Sequence, residues 1–139
     1  MKQLFLACIA TFALTAGATS CNTTSLANLI AGNYTMIARE PDSNNTYSGT
    51  MSIETPKDKI IHIVEKVPNQ PPRIWHGQFR QAAPGEGCIL AVESKERSMA
   101  CLVSTDLDNY ARLTCLTKKK NIPSKKLGLV ALFPMPNVK

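Results

Sequence analysis

The sequence predicts an all-β domain: an up-and-down antiparallel barrel, or closed sandwich, of about eight strands. Three observations carry that prediction. Segments rich in Val, Ile, Thr and aromatic residues recur at short intervals. Proline, glycine and asparagine clusters fall between them, where a strand ladder cannot continue. Four cysteines follow an N-terminal leader, supplying the cross-links that small exported domains use beside a modest core. Every connection is short, so consecutive strands pair, and closure removes exposed edges.

The chain has 139 residues, 44% of them hydrophobic, which fits one globular domain. Its first eighteen residues read as a secretory signal peptide. Lys2 is followed by the apolar run Leu4–Leu14 and then by Ala16-Gly17-Ala18, a small-residue cleavage site. The apolar run is shorter than the roughly 18 residues a membrane span needs. Residues 19–139 are then the folding domain, secreted or periplasmic. A second cut is open: Ala18-Thr19-Ser20-Cys21 resembles a bacterial lipoprotein box, which would anchor the chain to a membrane through Cys21. No internal repeat stands out.

A short helix near Ser25–Ala31 precedes the strands. The first strand is Asn33–Ala38, ended by the loop Pro41-Asp42-Ser43-Asn44-Asn45. The second, Tyr47–Glu54, puts Tyr47, Gly49, Met51 and Ile53 on one face. Thr55–Asp58 turns the chain into Lys59–Glu65, and Val67–Pro72 ends that strand because proline has no N–H to donate. Arg73–Arg80 follows, with Trp75, Gly77 and Phe79 facing together. After the turn Pro84–Gly87 come Cys88–Glu93, Met99–Thr105 and Tyr110–Thr117. Lys118–Lys126 reads as a basic loop before the last strand, Leu127–Phe133.

One pairing register follows from these faces. A turn centred on Asp108, within Asp106-Leu107-Asp108-Asn109, sets Cys101 opposite Cys115 and Val103 opposite Leu113. Opposite residues have the Cβ separation a disulfide needs. Cys101–Cys115 is therefore the expected bridge, which leaves Cys21–Cys88 as the second. Asn22-Thr23-Thr24, Asn33-Tyr34-Thr35 and Asn44-Asn45-Thr46 match the N-glycosylation pattern, relevant only in a eukaryotic secretory pathway.

Ile30-Ala31-Gly32-Asn33-Tyr34 and Tyr47-Ser48-Gly49-Thr50-Met51-Ser52-Ile53 resemble the opening of lipocalin- and avidin-like small barrels. There a Gly-x-aromatic element enters the first strand, and the second carries a Tyr-x-Gly-Thr segment. Gly87–Val92 falls where such barrels have a central strand. The resemblance implies a small molecule bound in the barrel mouth. A single tryptophan, Trp75, departs from the avidin pattern, so biotin is not the expected ligand.

The chain lacks the parts for most chemistries. His62 and His76, the only histidines, have no second ligand at i+2 or i+4 and read as half-exposed strand residues, with a pair meeting across the sheet left open. No serine lies in a Gly-x-Ser-x-Gly elbow, and bridged cysteines are not nucleophiles. No catalytic residue, metal or cofactor is expected; Asp106–Asn109 lacks a calcium loop's spacing. The expected function is non-catalytic binding, with Tyr34, Tyr47, Met51, Trp75 and Phe79 as candidate lining for a small apolar ligand. The alternative is a secreted effector or enzyme inhibitor acting on a protein partner through loops and Lys118, Lys119, Lys120, Lys125 and Lys126. That segment also suits an anionic membrane surface. It has no interleaved aromatics for base stacking, so no nucleic acid is expected.

Overall fold

The computed structural model describes residues 21–54, 59–82, 87–103 and 112–136. The expected leader, and the expected turns at Thr55–Asp58, Pro84–Gly87 and Asp106–Asn109, fall wholly or mostly outside the described residues. Helix α1 (Thr23–Ile30) leads into eight strands: β1 (Gly32–Arg39), β2 (Thr46–Glu54), β3 (Ile61–Lys66), β4 (Arg73–Gln81), β5 (Cys88–Glu93), β6 (Arg97–Val103), β7 (Leu113–Lys119) and β8 (Gly128–Pro134). All pair antiparallel in sequence order, and β8 returns to β1, with Met36 opposite Leu132, to close the barrel. This is the expected up-and-down barrel, the first of the two closed architectures the sequence left open.

Alternation along each strand decides what fills the interior. Tyr34, Met36 and Ala38 of β1 are buried, while Thr35 and Ile37 between them are exposed. The same period buries Ile61, Ile63 and Glu65 of β3, and Leu113, Cys115 and Thr117 of β7. Gly77 faces inward between Trp75 and Phe79 because nothing larger fits. A Cβ there would lie 2.0 Å from the carbonyl oxygen of Ala91 on the neighbouring strand.

Helix α1 plugs one end of the barrel. Asn22 caps it, its side chain accepting the Ser25 N–H at 3.1 Å. Leu26 and Ala27 pack against the core and Ile30 is fully buried. Gly32 turns the chain into β1 at φ +144°, a conformation that favours glycine. The Tyr34 hydroxyl then donates to the Ile30 carbonyl at 2.6 Å, tying helix to strand.

Both cysteine pairs predicted from the sequence stand at disulfide distance. Cys101 lies directly opposite Cys115, with Val103 opposite Leu113. Cys21, just ahead of α1, meets Cys88 at the start of β5. Two such pairs fit an oxidising, extracellular environment. Among the described residues no helix is long and apolar enough to cross a membrane.

One segment departs from expectation. Lys118 and Lys119 belong to β7 rather than to a basic loop. They pair with Ser98 and Arg97 of β6, and the Lys120 N–H donates to the Glu96 carbonyl at 2.8 Å. Lys118 points outward and keeps its ammonium in water, while Lys119 shares the inward face of Leu113, Cys115 and Thr117 at the charged end, so neither charge ends the strand. The loop proper begins after Lys120. It is fastened to the β1–β2 loop: the Asp42 N–H donates to the Lys126 carbonyl, and the Asp42 carboxylate accepts the Lys126 N–H, both at 2.9 Å. That backbone donor holds the Asp42 carboxyl below the usual carboxylate range.

Candidate functional site

The end of the barrel opposite α1 is polar on its inward positions. Continuing each strand's alternation to that end brings in Glu40 after β1, Tyr47 of β2, Glu65 of β3, Arg73 of β4, Arg97 of β6 and Thr117 of β7. Glu65 is the most enclosed of the charged ones, with its side chain 2% exposed. Its Oε2 accepts from Arg73 Nη1 and from Trp75 Nε1, both at 2.8 Å. Its Oε1 is buried and has no hydrogen-bond partner. Glu65 stands directly opposite Arg73 in the ladder, and Ile63 opposite Trp75, so register alone assembles this triad. The Arg73 guanidinium also lies 5.9 Å from the Trp75 ring centroid, within cation–π range.

A second ion pair stands at the same end, Arg97 Nη2 to Glu40 Oε2 at 2.6 Å. Burial, and then the Glu65 and Glu40 carboxylates, push the Tyr47 phenol above its usual range. Tyr47 therefore keeps its proton and remains a hydrogen-bond donor and acceptor at neutral pH. Burial opposes the Arg73 charge, but the Glu65 carboxylate outweighs it and holds the guanidinium firmly protonated.

The five predicted lining residues divide between the two ends. Trp75 and Tyr47 belong to the polar end. Tyr34 is at the α1 end, where its hydroxyl is already used and burial pushes its pKa up. Met51 is fully buried in the interior beside both Tyr34 and Glu65. Phe79 is a core residue towards the β5 start, opposite Leu90. Sequence reasoning missed Glu65, Arg73, Arg97 and Glu40. The signal for Glu65 was its place two residues beyond Ile61 and Ile63 on one face.

Of the predicted basic residues, Lys118 and Lys125 are exposed. Lys120 bridges Glu93 at 2.7 Å, and Lys126 Nζ donates to Asn44 at 2.6 Å. Lys119 is half-buried opposite Arg97. The lysines therefore do not form one uniform free patch. Beside Lys118 runs an outward apolar row: Leu129 of β8, Leu116 of β7, Ala100 of β6 and Ala91 of β5 are direct cross-strand neighbours. A parallel row joins Ile37, Ala131, Thr114, Leu102 and Ile89. Leu102 is 63% exposed and Ile37 54%.

Fold and site together define a closed up-and-down barrel with one helix-plugged end and one charged end. No family model, curated protein or solved structure matches the chain. The lipocalin- and avidin-like segments are matched by barrel architecture alone.

Proposed function

We propose that this is an exported, non-catalytic binding protein that takes a small polar molecule at the charged end of the barrel. The observation that carries the reading is the Glu65 Oε1 atom. A buried carboxylate oxygen without a partner is costly, and a ligand N–H or O–H supplies what it lacks. Tyr47 offers a second contact, and the Trp75 ring forms an apolar wall. The ligand class narrows from the apolar one expected from sequence, because the inward positions here carry charge. Export follows from the leader-like N-terminus and the cysteine pairs. Lipidation of Cys21 would consume the sulfur that meets Cys88, which favours the bridged, released form.

The test is native mass spectrometry of the exported, non-reduced protein, followed by thermal-shift screening with small amines, amides and polyols. Compounds that stabilise wild type are expected to lose about tenfold to a hundredfold in affinity with Glu65→Gln, since a hydrogen bond to a charged group is worth about 1.5–3 kcal/mol. Glutamine preserves an acceptor for Trp75 Nε1, so the fold is retained. Equal stabilisation of wild type and variant would remove the site.

The outward apolar rows favour a second reading, an effector or inhibitor that docks a protein partner. Contiguous exposed leucine and isoleucine on a soluble barrel mark an interaction face. A Leu116→Ser, Lys118→Glu double variant is then expected to lose an isolated partner whose binding to wild type weakens with salt. Partner binding unchanged by that variant would eliminate this face.

A further inference from the structure

On the outside of the barrel the ladder places His62 of β3 directly opposite His76 of β4. Their Nδ1 atoms are 2.8 Å apart, and the rings meet edge to face with centroids 4.7 Å apart. His76 is exposed and lines a groove of about 660 Å³ on the outer face of β4 and β5, together with Ile74, Arg80 and Glu93. Solvent and solutes therefore reach the pair.

We propose that His62 and His76 form a two-imidazole chelate for a late first-row divalent cation of the copper(II) or nickel(II) type. The separation carries the argument. Metal–imidazole bonds of about 2.0–2.1 Å meeting at a right angle put the two nitrogens about 2.9 Å apart; a tetrahedral angle needs about 3.3 Å. The observed 2.8 Å fits the nitrogen separation of the square-planar arrangement, and each ring has to turn by about 45° to bring its lone pair off the N···N line and onto the cation. As drawn by the structure, one Nδ1–H donates to the other Nδ1. On binding, the donor ring moves its proton to Nε2, both Nδ1 lone pairs turn to the cation, and the hydrogen bond is exchanged for two coordinate bonds with no net change in protein charge.

A carboxylate flanks the pair on each side in the same outward row, while Arg80, Lys95 and Lys120 line the groove beside His76. Glu54 stands directly opposite His62, and Glu93 directly opposite His76. Glu93 is engaged by Lys120, which holds its carboxyl below the usual range. Glu54 is exposed and one strand away from the chelate. Among the described residues no three of His, Cys, Asp and Glu converge, so water fills the remaining positions. A two-imidazole, water-completed site suits a cation whose affinity for nitrogen is high, which places copper(II) at the top of the divalent order.

The experiment titrates copper(II) chloride into the oxidised full-length secreted protein, stripped with a chelator, in a non-coordinating buffer. Binding is read by calorimetry and coordination by electron paramagnetic resonance. One copper per chain is expected, with hyperfine coupling to two imidazole nitrogens. Affinity is expected to fall about tenfold or more in His62→Ala and in His76→Ala, a loss of at least about 1.4 kcal/mol of binding. Circular dichroism checks that both variants keep the wild-type spectrum; His76→Gln, which keeps a polar side chain of similar length, is the second variant and is expected to show the same loss. Unchanged stoichiometry and affinity in His62→Ala or in His76→Ala, or a wild-type spectrum with a single imidazole nitrogen, would overturn the proposal.

Discussion

Trp75→Ala is expected to destabilise the barrel by about 4 kcal/mol, close to the whole stability of many small domains. Two effects add. The indole is 2% exposed in the interior, so truncation opens a cavity that eight hydrogen-bonded strands cannot collapse around. It also removes the Nε1–H that donates to Glu65 Oε2, leaving a buried carboxylate with Arg73 as its remaining donor among the described residues and one oxygen already unpartnered. Trp75→Phe separates the two. A six-membered ring persists, and what is lost is the Nε1–H donor with the five-membered part of the indole, so the cost is expected to be smaller, about 1–2 kcal/mol. Urea denaturation of the oxidised protein measures both. Equal losses for the alanine and phenylalanine variants would show that ring packing contributes nothing, and a phenylalanine variant as stable as wild type would show that the triad account is wrong.

Why the fold was legible and the charged end was not has a physical explanation. Period-two burial is written directly into residues such as Tyr34-Thr35-Met36-Ile37-Ala38, and prolines 68, 71 and 72 mark where a ladder must stop. Register was readable where two residues of one chemistry demanded proximity. Cys101 and Cys115 could meet only if the intervening turn centred on Asp108, and the ladder follows that register. The failure at Lys118 and Lys119 came from treating charge as a loop signal. Charge is neutral to strand formation on the outside of the barrel, where Lys118 lies, and at its polar end, where Lys119 faces in, and pairing with Ser98 and Arg97 decides.

The same hairpin reasoning would have exposed the histidine pair. A turn centred on Asn69 sets Glu65 opposite Arg73 and His62 opposite His76, and Asn69 adopts the positive φ of 62° that such a turn uses. Nothing in the residue types of β3 and β4 asked for that register as the cysteines did, so a pairing of the histidines across the sheet stayed open rather than predicted. Glu65 was hidden for a related reason. Aromatic and aliphatic residues announce an interior, whereas a carboxylate there makes sense only once Arg73 and Trp75 are known to converge on it. Sequence pattern gives the face of each strand; the partner across the sheet requires the register.

The two disulfides are expected to act on different parts of the molecule. Cys21–Cys88 closes a separation of 67 residues, and chain entropy alone assigns its loss about 4 kcal/mol; for Cys101–Cys115, across 14 residues, the figure is about 3 kcal/mol. The native-state consequences differ more than these totals. Cys101 and Cys115 sit on strands already joined by seven paired positions, so their removal leaves the ladder in place. Cys21 is joined to the barrel through Cys88, and the helix it precedes has eight residues, too few to persist without tertiary support. A Cys21→Ser, Cys88→Ser variant is therefore expected to lose amide protection over Thr23–Ile30 before the strands do. Loosening of Ile30 would then uncover the α1 end of the core. In Cys101→Ala, Cys115→Ala the helix should instead lose protection only with the whole barrel. Native-state hydrogen exchange on the two variants reads this directly. Helix protection in Cys21→Ser, Cys88→Ser that tracks global stability would mean that Ile30, Leu26 and the Tyr34–Ile30 hydrogen bond hold α1 without the bridge.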